Sequence, residues 1–472
     1  MNTLDFARLQ FAVTTLFHFI FVPMSIGLAL FVAICQTRWY LSGDETWLRA
    51  TRFWGKFLLI SMAIGVVTGI VQEFQFGMNW SLYSRYVGDI FGAPLAMEGL
   101  IAFFMESTFV GLWIFGWGRL PRKWHLASIW LVAIGTVLSA YFILAANSWM
   151  QHPVGYEINH ATGHAQLTNI FSVLFNSTVL LAFPHTILGA FTTGGMLVVA
   201  VSAFLWLRGN RNAVITRSMR LALPFTLAAV LATMAFGDGQ GRLMVDQQPM
   251  KMAAAEAVCN SGHGQSFSIF SVAGFTTNPC PNNITSIRIP HLLSLIEDLS
   301  WGGNIRGIDQ IQAAERKQFG PGNYVPPVGV EYWSFRLMIG AGVLMMVISL
   351  GGIWLERRRR LEVSRRFQRL ALLGLVLPIL ANWTGWIFTE VGRQPWVVFG
   401  LLKTSQANSP NVGTGDIVFT LAGYIVLYGV LIAIGAWLML KEAKHGPEPD
   451  PGDQGAGEQP PNAPHSELVL AY

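Results

Sequence analysis

Residues 11–37 read FAVTTLFHFIFVPMSIGLALFVAICQT, an apolar run without a single Asp, Glu, Lys or Arg. A helix needs about 20 predominantly apolar residues to cross the hydrocarbon core of a bilayer, so this stretch predicts a membrane span. Eight further stretches are long and apolar enough for the same reading: 54–74, 94–117, 124–147, 174–207, 217–237, 333–355, 367–386 and 416–440. The fifth exceeds one crossing and is expected to begin as an interfacial segment. The predicted fold class is all-α, a polytopic membrane helical bundle of about nine transmembrane helices.

Composition excludes the alternatives. Of 472 residues, 52% are hydrophobic and only 12% are charged, about half the charged share of an ordinary soluble domain. A soluble chain of this size needs a charged skin that 31 basic and 26 acidic residues do not supply. A soluble enzyme, a disordered hub and a nucleic-acid binder are excluded as readings of the whole chain. The start, MNTLDFARLQF, lacks the basic lead and cleavage site of a signal peptide, so the first apolar stretch is expected to stay as a span. No internal repeat stands out, which disfavours an inverted-repeat transporter.

Charge sets an expected direction. Of the 31 basic residues, 20 fall in five short segments on one side, around Arg38–Lys56, Arg119–Lys123, Arg208–Arg220, Arg357–Arg369 and Lys441–Lys444. The positive-inside rule makes these cytoplasmic, with the N-terminus outside and the C-terminus inside. The chain divides into spans one to six (1–237), a long outer connection (238–332) whose length suggests function, spans seven to nine (333–440), and a cytoplasmic tail (441–472). From Gly446 to Pro464 the tail is rich in Pro, Gly and acids and reads as disordered.

Three cysteines make neither a disulfide framework nor a four-Cys metal site, and no Cys-x-x-Cys-His motif offers a c-type haem attachment. Cys259 and Cys280 share the outer connection, where a disulfide is chemically allowed; two separate thiols are the alternative. Cys35 reads as a small packing residue.

Ionisable groups at membrane depth are candidate sites by default. They are His18 in span one, Glu98 and Glu106 in span three, His185 in span five, and Glu390 with Arg393 after span eight. A lone intramembrane His is as readily structural as functional. Two in separate spans, without acidic neighbours, point to ligation by neutral imidazole, and haem suits an apolar bundle. His with Met is a known axial pair, though Met338 alone reads as core. Glu98 and Glu106, eight residues apart, lie about 12 Å apart along a regular helix and about 80° around it. That suits successive stations for a proton, with acids satisfied by neighbouring helices as the alternative. Ser107, Ser139 and Asn147 can link protonatable groups or act as interhelical glue. Arg8, Arg336 and Arg393 near the outer ends of spans can bind carboxylates such as propionates, or reach lipid phosphate.

The strings ARLQFAVTTLFHFIFVP, GIVQEFQFGMNW, FGAPLAMEGLIAFFMESTFVGLWIFGW, NSWMQHPVG, YWSFRLM and GWIFTEVGRQPW resemble subunit I of cytochrome bd quinol oxidases, from about residue 5 to residue 440. The resemblance implies three haems, two of type b and one of type d. It places His185 and Met338 on a low-spin haem b, His18 on haem d and Glu390 on a second, high-spin haem b, an assignment relatives can exchange. It makes Trp386 an aromatic stepping stone, and puts Glu98 and Glu106 at the oxygen site and its proton path, with His125 near the inner mouth. The outer connection becomes a quinol-binding loop of the short, actinobacterial-like kind, carrying Lys251 and Glu256 and supporting the Cys259–Cys280 bridge. Menaquinol, a second large membrane subunit and a small single-span subunit are implied partners. The implied activity is quinol:oxygen oxidoreduction in a bacterial cell membrane. Quinol protons would leave outside and protons for water enter from the cytoplasm, without pumping. The lack of a His–His pair argues against a copper-containing haem oxidase. An ion-coupled transporter and an electron-relaying cytochrome are the rival classes.

Overall fold

The computed structural model describes residues 2–272 and 285–449. Cys280 and the tail beyond residue 449 lie outside the described residues, so the Cys259–Cys280 pairing and most of the tail reading stay expectations.

Among the described residues nine helices are long and apolar enough to cross a membrane: Thr3–Ser42, Glu45–Met78, Ser81–Phe115, Arg122–Gln151, Ser177–Leu207, Ala213–Gln247, Val328–Arg357, Arg365–Val391 and Thr414–His445. Seven of them contain the predicted apolar stretch and run past it, because polar residues continue the helix beyond the hydrocarbon edge and cap it there; the third ends at Phe115 rather than 117, and the fifth starts at Ser177 rather than 174. The first begins with a capping box between Asn2 and Asp5 and ends at Gly43, whose φ of 69° is left-handed. Asp44 caps the second span directly after that turn, accepting from the Thr46 amide. The sixth span extends to Gln247 and holds an Arg242–Asp238 pair one turn apart at 2.7 Å. The long connection therefore starts near 248 rather than 238, and the seventh span starts at Val328 rather than 333.

The fifth stretch divides as its length suggested. Ile170–Leu174 is a short separate helix capped by Asn169, and Asn176 caps the spanning helix Ser177–Leu207. The third span carries a π-helical segment, Glu98–Phe103, which the sequence did not disclose. Among the described residues the connections hold four two-stranded antiparallel ribbons, including Tyr156–Ile158 with Ala165–Leu167 and Trp396–Val398 with Leu402–Lys403.

Spans one and five form the centre. Their apolar windows are 61% and 78% buried within the chain, against 17% for the ninth span and 28% for the third, seventh and eighth. One and five meet at Gly27 and Gly194, where backbone touches backbone. A side-chain carbon at 194 would stand 2.6 Å from the Gly27 Cα and 2.8 Å from the Leu28 nitrogen, so only glycine fits. The largest core cluster, including Phe31, Trp54, Trp206 and Leu223, fills the bundle on the arginine-rich side. There the buried Trp54 indole donates to Ser218 Oγ at 2.8 Å. The basic segments gather at one end: Arg220 pairs with Glu356 at 2.7 Å and Lys56 with Glu442 at 2.8 Å, joining spans six to seven and two to nine.

Candidate functional site

His18 and His185 sit nine residues along their helices from the Gly27–Gly194 contact. Each ring uses Nδ1 inside the protein: His18 hydrogen-bonds Thr68 Oγ1 at 2.9 Å, and His185 donates to the Thr233 carbonyl at 2.9 Å. Nε2 of both has no hydrogen-bond partner among the described residues. Fixing one ring nitrogen to a protein acceptor is the usual way of aiming the other at a metal. A glycine faces each ring: a carbon added at Gly69 would lie 3.2 Å from His18 Cε1, and one at Gly237 would lie 2.9 Å from His185 Cε1. Gly385 plays the same part for Met338, where an added carbon would meet Sδ at 2.8 Å. Both imidazoles and Met338 are half-buried at membrane depth. Two imidazole nitrogens and a thioether fit ligation of haem iron, whereas a carboxylate is an uncommon haem ligand and enters the set through the resemblance.

Glu390, at the end of the eighth span, accepts from Asn147 Nδ2 at 2.9 Å and pairs with Arg393. Arg393 is 4% exposed, and its Nε and Nη1 have no partner. A buried guanidinium with two spare N–H groups is what a haem propionate would satisfy. Arg8 is exposed at its helix start. Arg336 is fully engaged: it pairs with Glu256, donates to the Ser268 carbonyl at 2.9 Å, and lies over the rings of Tyr332 and Phe267 at 4.5 and 4.6 Å. Trp386 stacks on Phe19 with ring centroids 4.9 Å apart, joining the helix of Glu390 to that of His18.

Ser139 Oγ donates to Glu98 at 2.6 Å, and Gly135, one turn earlier on the fourth span, packs against the Glu106 backbone. Both carboxyls thus face one stripe of that span. The 80° separation expected for a regular helix is corrected here. The π segment takes up one extra residue, turning Glu106 back by about 100°, to within about 20° of Glu98. A third carboxyl, Glu73 on the second span, lies in electrostatic range of Glu98, as Glu106 does. Sequence reading passed over Glu73, although an acid inside an apolar run was the available signal. Ser107 is exposed and bonds back to its own helix at the Phe104 carbonyl. His125 is 3% exposed with both nitrogens occupied, by Gln36 Nε2 and the Trp113 carbonyl, each at 2.9 Å.

Lys251 and Glu256 are both buried in and after the short helix Pro249–Ala255, with 1% and 6% exposure, yet they do not pair. Glu256 turns to Arg336, near a cleft of about 230 Å³ that Met252, Val258, Glu297 and Arg306 help to line. Burial raises the Glu256 carboxyl, with Arg336 opposing the shift. Burial, with Glu256 adding to it, raises Glu297 to about 8. Lys251 points the other way and donates to the Thr389 carbonyl at 3.1 Å and to Gln151 Oε1 at 3.3 Å. Burial pushes its ammonium down to about 8, with Glu331 opposing. Gln151 Nε2 donates to Asn147 Oδ1 at 2.9 Å, so hydrogen bonds run unbroken from Lys251 through Gln151 and Asn147 to Glu390. Neither Gln151 nor Glu331 was singled out from sequence; an amide next to a histidine and an acid just ahead of an apolar run are weak signals.

Comparison with known proteins bears on the family. Residues 6–447 match the family described as cytochrome bd terminal oxidase subunit I. The chain is 46% identical over 451 residues to cytochrome bd ubiquinol oxidase subunit 1 of Bacillus subtilis, covering 95% of both. It is 35% identical to cytochrome bd-II ubiquinol oxidase subunit 1 of Escherichia coli, with 97% of this chain and 99% of that one covered. Its fold is similar to a chain of the bd oxidase from Geobacillus thermodenitrificans, with a TM-score of 0.85, 26% identity, and 94% and 99% coverage. The chain belongs to the cytochrome bd terminal oxidase subunit I family.

Proposed function

We propose that this chain is the catalytic subunit of a membrane-bound quinol oxidase, working with a second large subunit and a small single-span one. The N-terminus faces outward and the arginine-rich end faces the cytoplasm. The observation that carries the reading is the pair of half-buried histidines, each tied down at Nδ1 and open at Nε2.

His185 and Met338 would hold a low-spin haem b, His18 a haem d, and Glu390 a high-spin haem b, with Arg393, Arg336 and Arg8 as the cations nearest their propionates. Bound haem supplies the one-electron relay and the iron at which oxygen is reduced to water. The protein's own part is to bind quinol and to move protons. Menaquinol is the proposed substrate, docking in the cleft beside Glu256. The Glu256 carboxylate accepts one hydroxyl proton on the cleft side, and the second is taken up on the opposite side of the helix Pro249–Ala255, where Lys251 points toward Gln151 and the Thr389 carbonyl. Arg336 keeps Glu256 in place and is two residues from Met338, which puts the electron donor close to its first acceptor. On the other side, Glu106 and then Glu98 pass protons inward from the cytoplasmic end of span three, with the Ser139 hydroxyl and Glu73 beside them. Quinol protons leave outside and consumed protons enter from inside, so each turnover separates charge without a pumping element.

The test is a visible spectrum of the purified complex, oxidised, reduced with dithionite, and reduced under carbon monoxide. The expected result is a low-spin b-type band unaffected by carbon monoxide together with a high-spin component that shifts. An iron-free, colourless complex would refute the reading and favour an ion-coupled carrier.

A further inference from the structure

Glu331 opens the seventh span and is wholly buried, and neither of its carboxyl oxygens has a hydrogen-bond partner. A carboxylate so placed is held neutral unless a cation stands by, because burying an unpaired charge is among the costliest arrangements in a protein. The nearby cation is Lys251, itself 1% exposed. The two make no direct ion pair, but both press against Gly392, where an added side-chain carbon would run into the Glu331 carboxyl and stand 2.6 Å from Lys251 Cγ. Gly392 also lines a small pocket of about 10 Å³, room for about one water, together with Lys251, Gln248, Arg393 and Glu315. Glu315, on the helix Ile308–Phe319 of the long connection, is 6% exposed and has an unpartnered Oε2. Burial raises its carboxyl to about 7, where it can both take and give a proton in water near neutrality. The remaining charges at this place, Glu390 and Arg393, are paired with each other.

We propose that Glu331 is a proton-relay residue that clears the quinol proton taken up on the Lys251 side and delivers it through the Glu315 pocket to the outer surface. The inference rests on the reading of Lys251 as a quinol-site residue. The step balances as follows. The Lys251 ammonium passes one of its protons to the Glu331 carboxylate and is refilled by the quinol hydroxyl proton as the quinol electron goes to the enzyme's electron acceptor. Glu331, now protonated, hands that proton to the Glu315 carboxylate, which releases it outside. Lys251 is again an ammonium and Glu331 again a carboxylate. One proton leaves per cycle, and no reagent other than quinol is consumed.

The experiment uses the complete complex with Glu331→Gln, which keeps the shape and removes the exchangeable proton. The expected result is at least a tenfold fall in kcat for quinol-driven oxygen uptake, an unchanged KM, and an unchanged reduced-minus-oxidised haem spectrum. Glu331→Asp should recover part of the rate, which a purely structural role would not give. A kcat within twofold of the wild type in Glu331→Gln overturns the proposal. Parallel Lys251→Gln and Glu256→Gln variants separate the two readings. If those lose activity and Glu331→Gln does not, the relay alone is wrong. If all three keep it, the quinol-site reading fails as well. Should Glu331→Gln not assemble with haem, Glu315→Gln decides: at least a threefold fall in kcat supports the relay, and an unaltered rate overturns it.

Discussion

Gly194→Ala tests whether the contact of spans one and five sets the positions of both histidines. The added methyl would stand 2.6 Å from the Gly27 Cα and 2.8 Å from the Leu28 nitrogen. Non-bonded carbon atoms rest about 3.5–4.0 Å apart, so the helices must part by about 1 Å or bend. Overpacking of this kind costs about 1–3 kcal/mol, while the better helix propensity of alanine returns at most about 1 kcal/mol. The net loss is then up to about 3 kcal/mol, and since His18 and His185 each lie nine residues from the contact, their spacing changes with it. A loss of 1 kcal/mol lowers the melting midpoint of a chain of 150–250 residues by about 2–4 °C. The assay is a heat ramp of membranes holding the whole complex, read as loss of the reduced-minus-oxidised haem signal. The midpoint should fall by a few degrees and the haem content per protein should drop. Gly65→Ala, on the second span where it packs against span one, is the control, because its nearest neighbours, Ser25 Oγ and Val22 Cγ2, are both 3.9 Å from the new carbon. A midpoint in Gly194→Ala equal to that of the wild type, or equal damage from Gly65→Ala, would show that the glycine crossing does not govern the site.

Further outcomes follow from the same geometry. His18→Ala should abolish oxygen uptake while the low-spin haem band remains; retained quinol oxidase activity removes His18 from the oxygen site. Met338→Leu should convert the low-spin spectrum to a five-coordinate or otherwise altered one, and an unchanged spectrum takes Met338 off the ligand set. Ser139→Ala deprives Glu98 of its 2.6 Å donor and should slow oxygen reduction several-fold without loss of haem; a full rate would place the proton path elsewhere. Lys251 titrates near 8 when folded against an ordinary value of 10.5. Between those pH values the unfolded chain holds more protons, so stability should rise with pH, by at most about 3 kcal/mol across the window, and stay flat below it. Lys251→Met should lose that rise in a thermal unfolding series from pH 7.5 to 10, and a rise that survives the substitution assigns it to another group.

The nine spans were legible because burial in lipid leaves a one-dimensional signature: apolar runs of fixed length, separated by basic segments on alternate sides. Helix ends were not, since Asn2, Asp44 and Asp238 continue or cap helices outside the region that hydropathy measures. The positions of the histidines were visible as polar atoms in apolar runs. Their partners Thr68 and Thr233 lie on other helices, fifty and forty-eight residues away, and no local pattern announces them. The pairing of Glu256 with Arg336, eighty residues apart, depends on how the long connection folds back onto the seventh span. For the same reason Glu256 and Lys251 looked like natural partners in sequence and turn out to face opposite ways. The π segment after Met97 is a backbone choice with no residue code, yet it decides that Glu98 and Glu106 share a face.

The ninth span, with 17% of its apolar window covered by the rest of the chain, turns bulky side chains such as Phe419, Val426 and Trp437 outward at 80%, 67% and 60% exposure. Along that flank the rest of the chain supplies little of the contact, which falls to lipid, detergent or a second subunit. Detergent choice during purification is therefore a structural variable for this molecule: a micelle too thin for the helix leaves greasy rings wetted, and subunits extracted singly will tend to clump along that edge. Tolerance to substitution should follow the same line, with any lipophilic residue acceptable outward and few replacements tolerated where the helix meets Gln10 and Phe21.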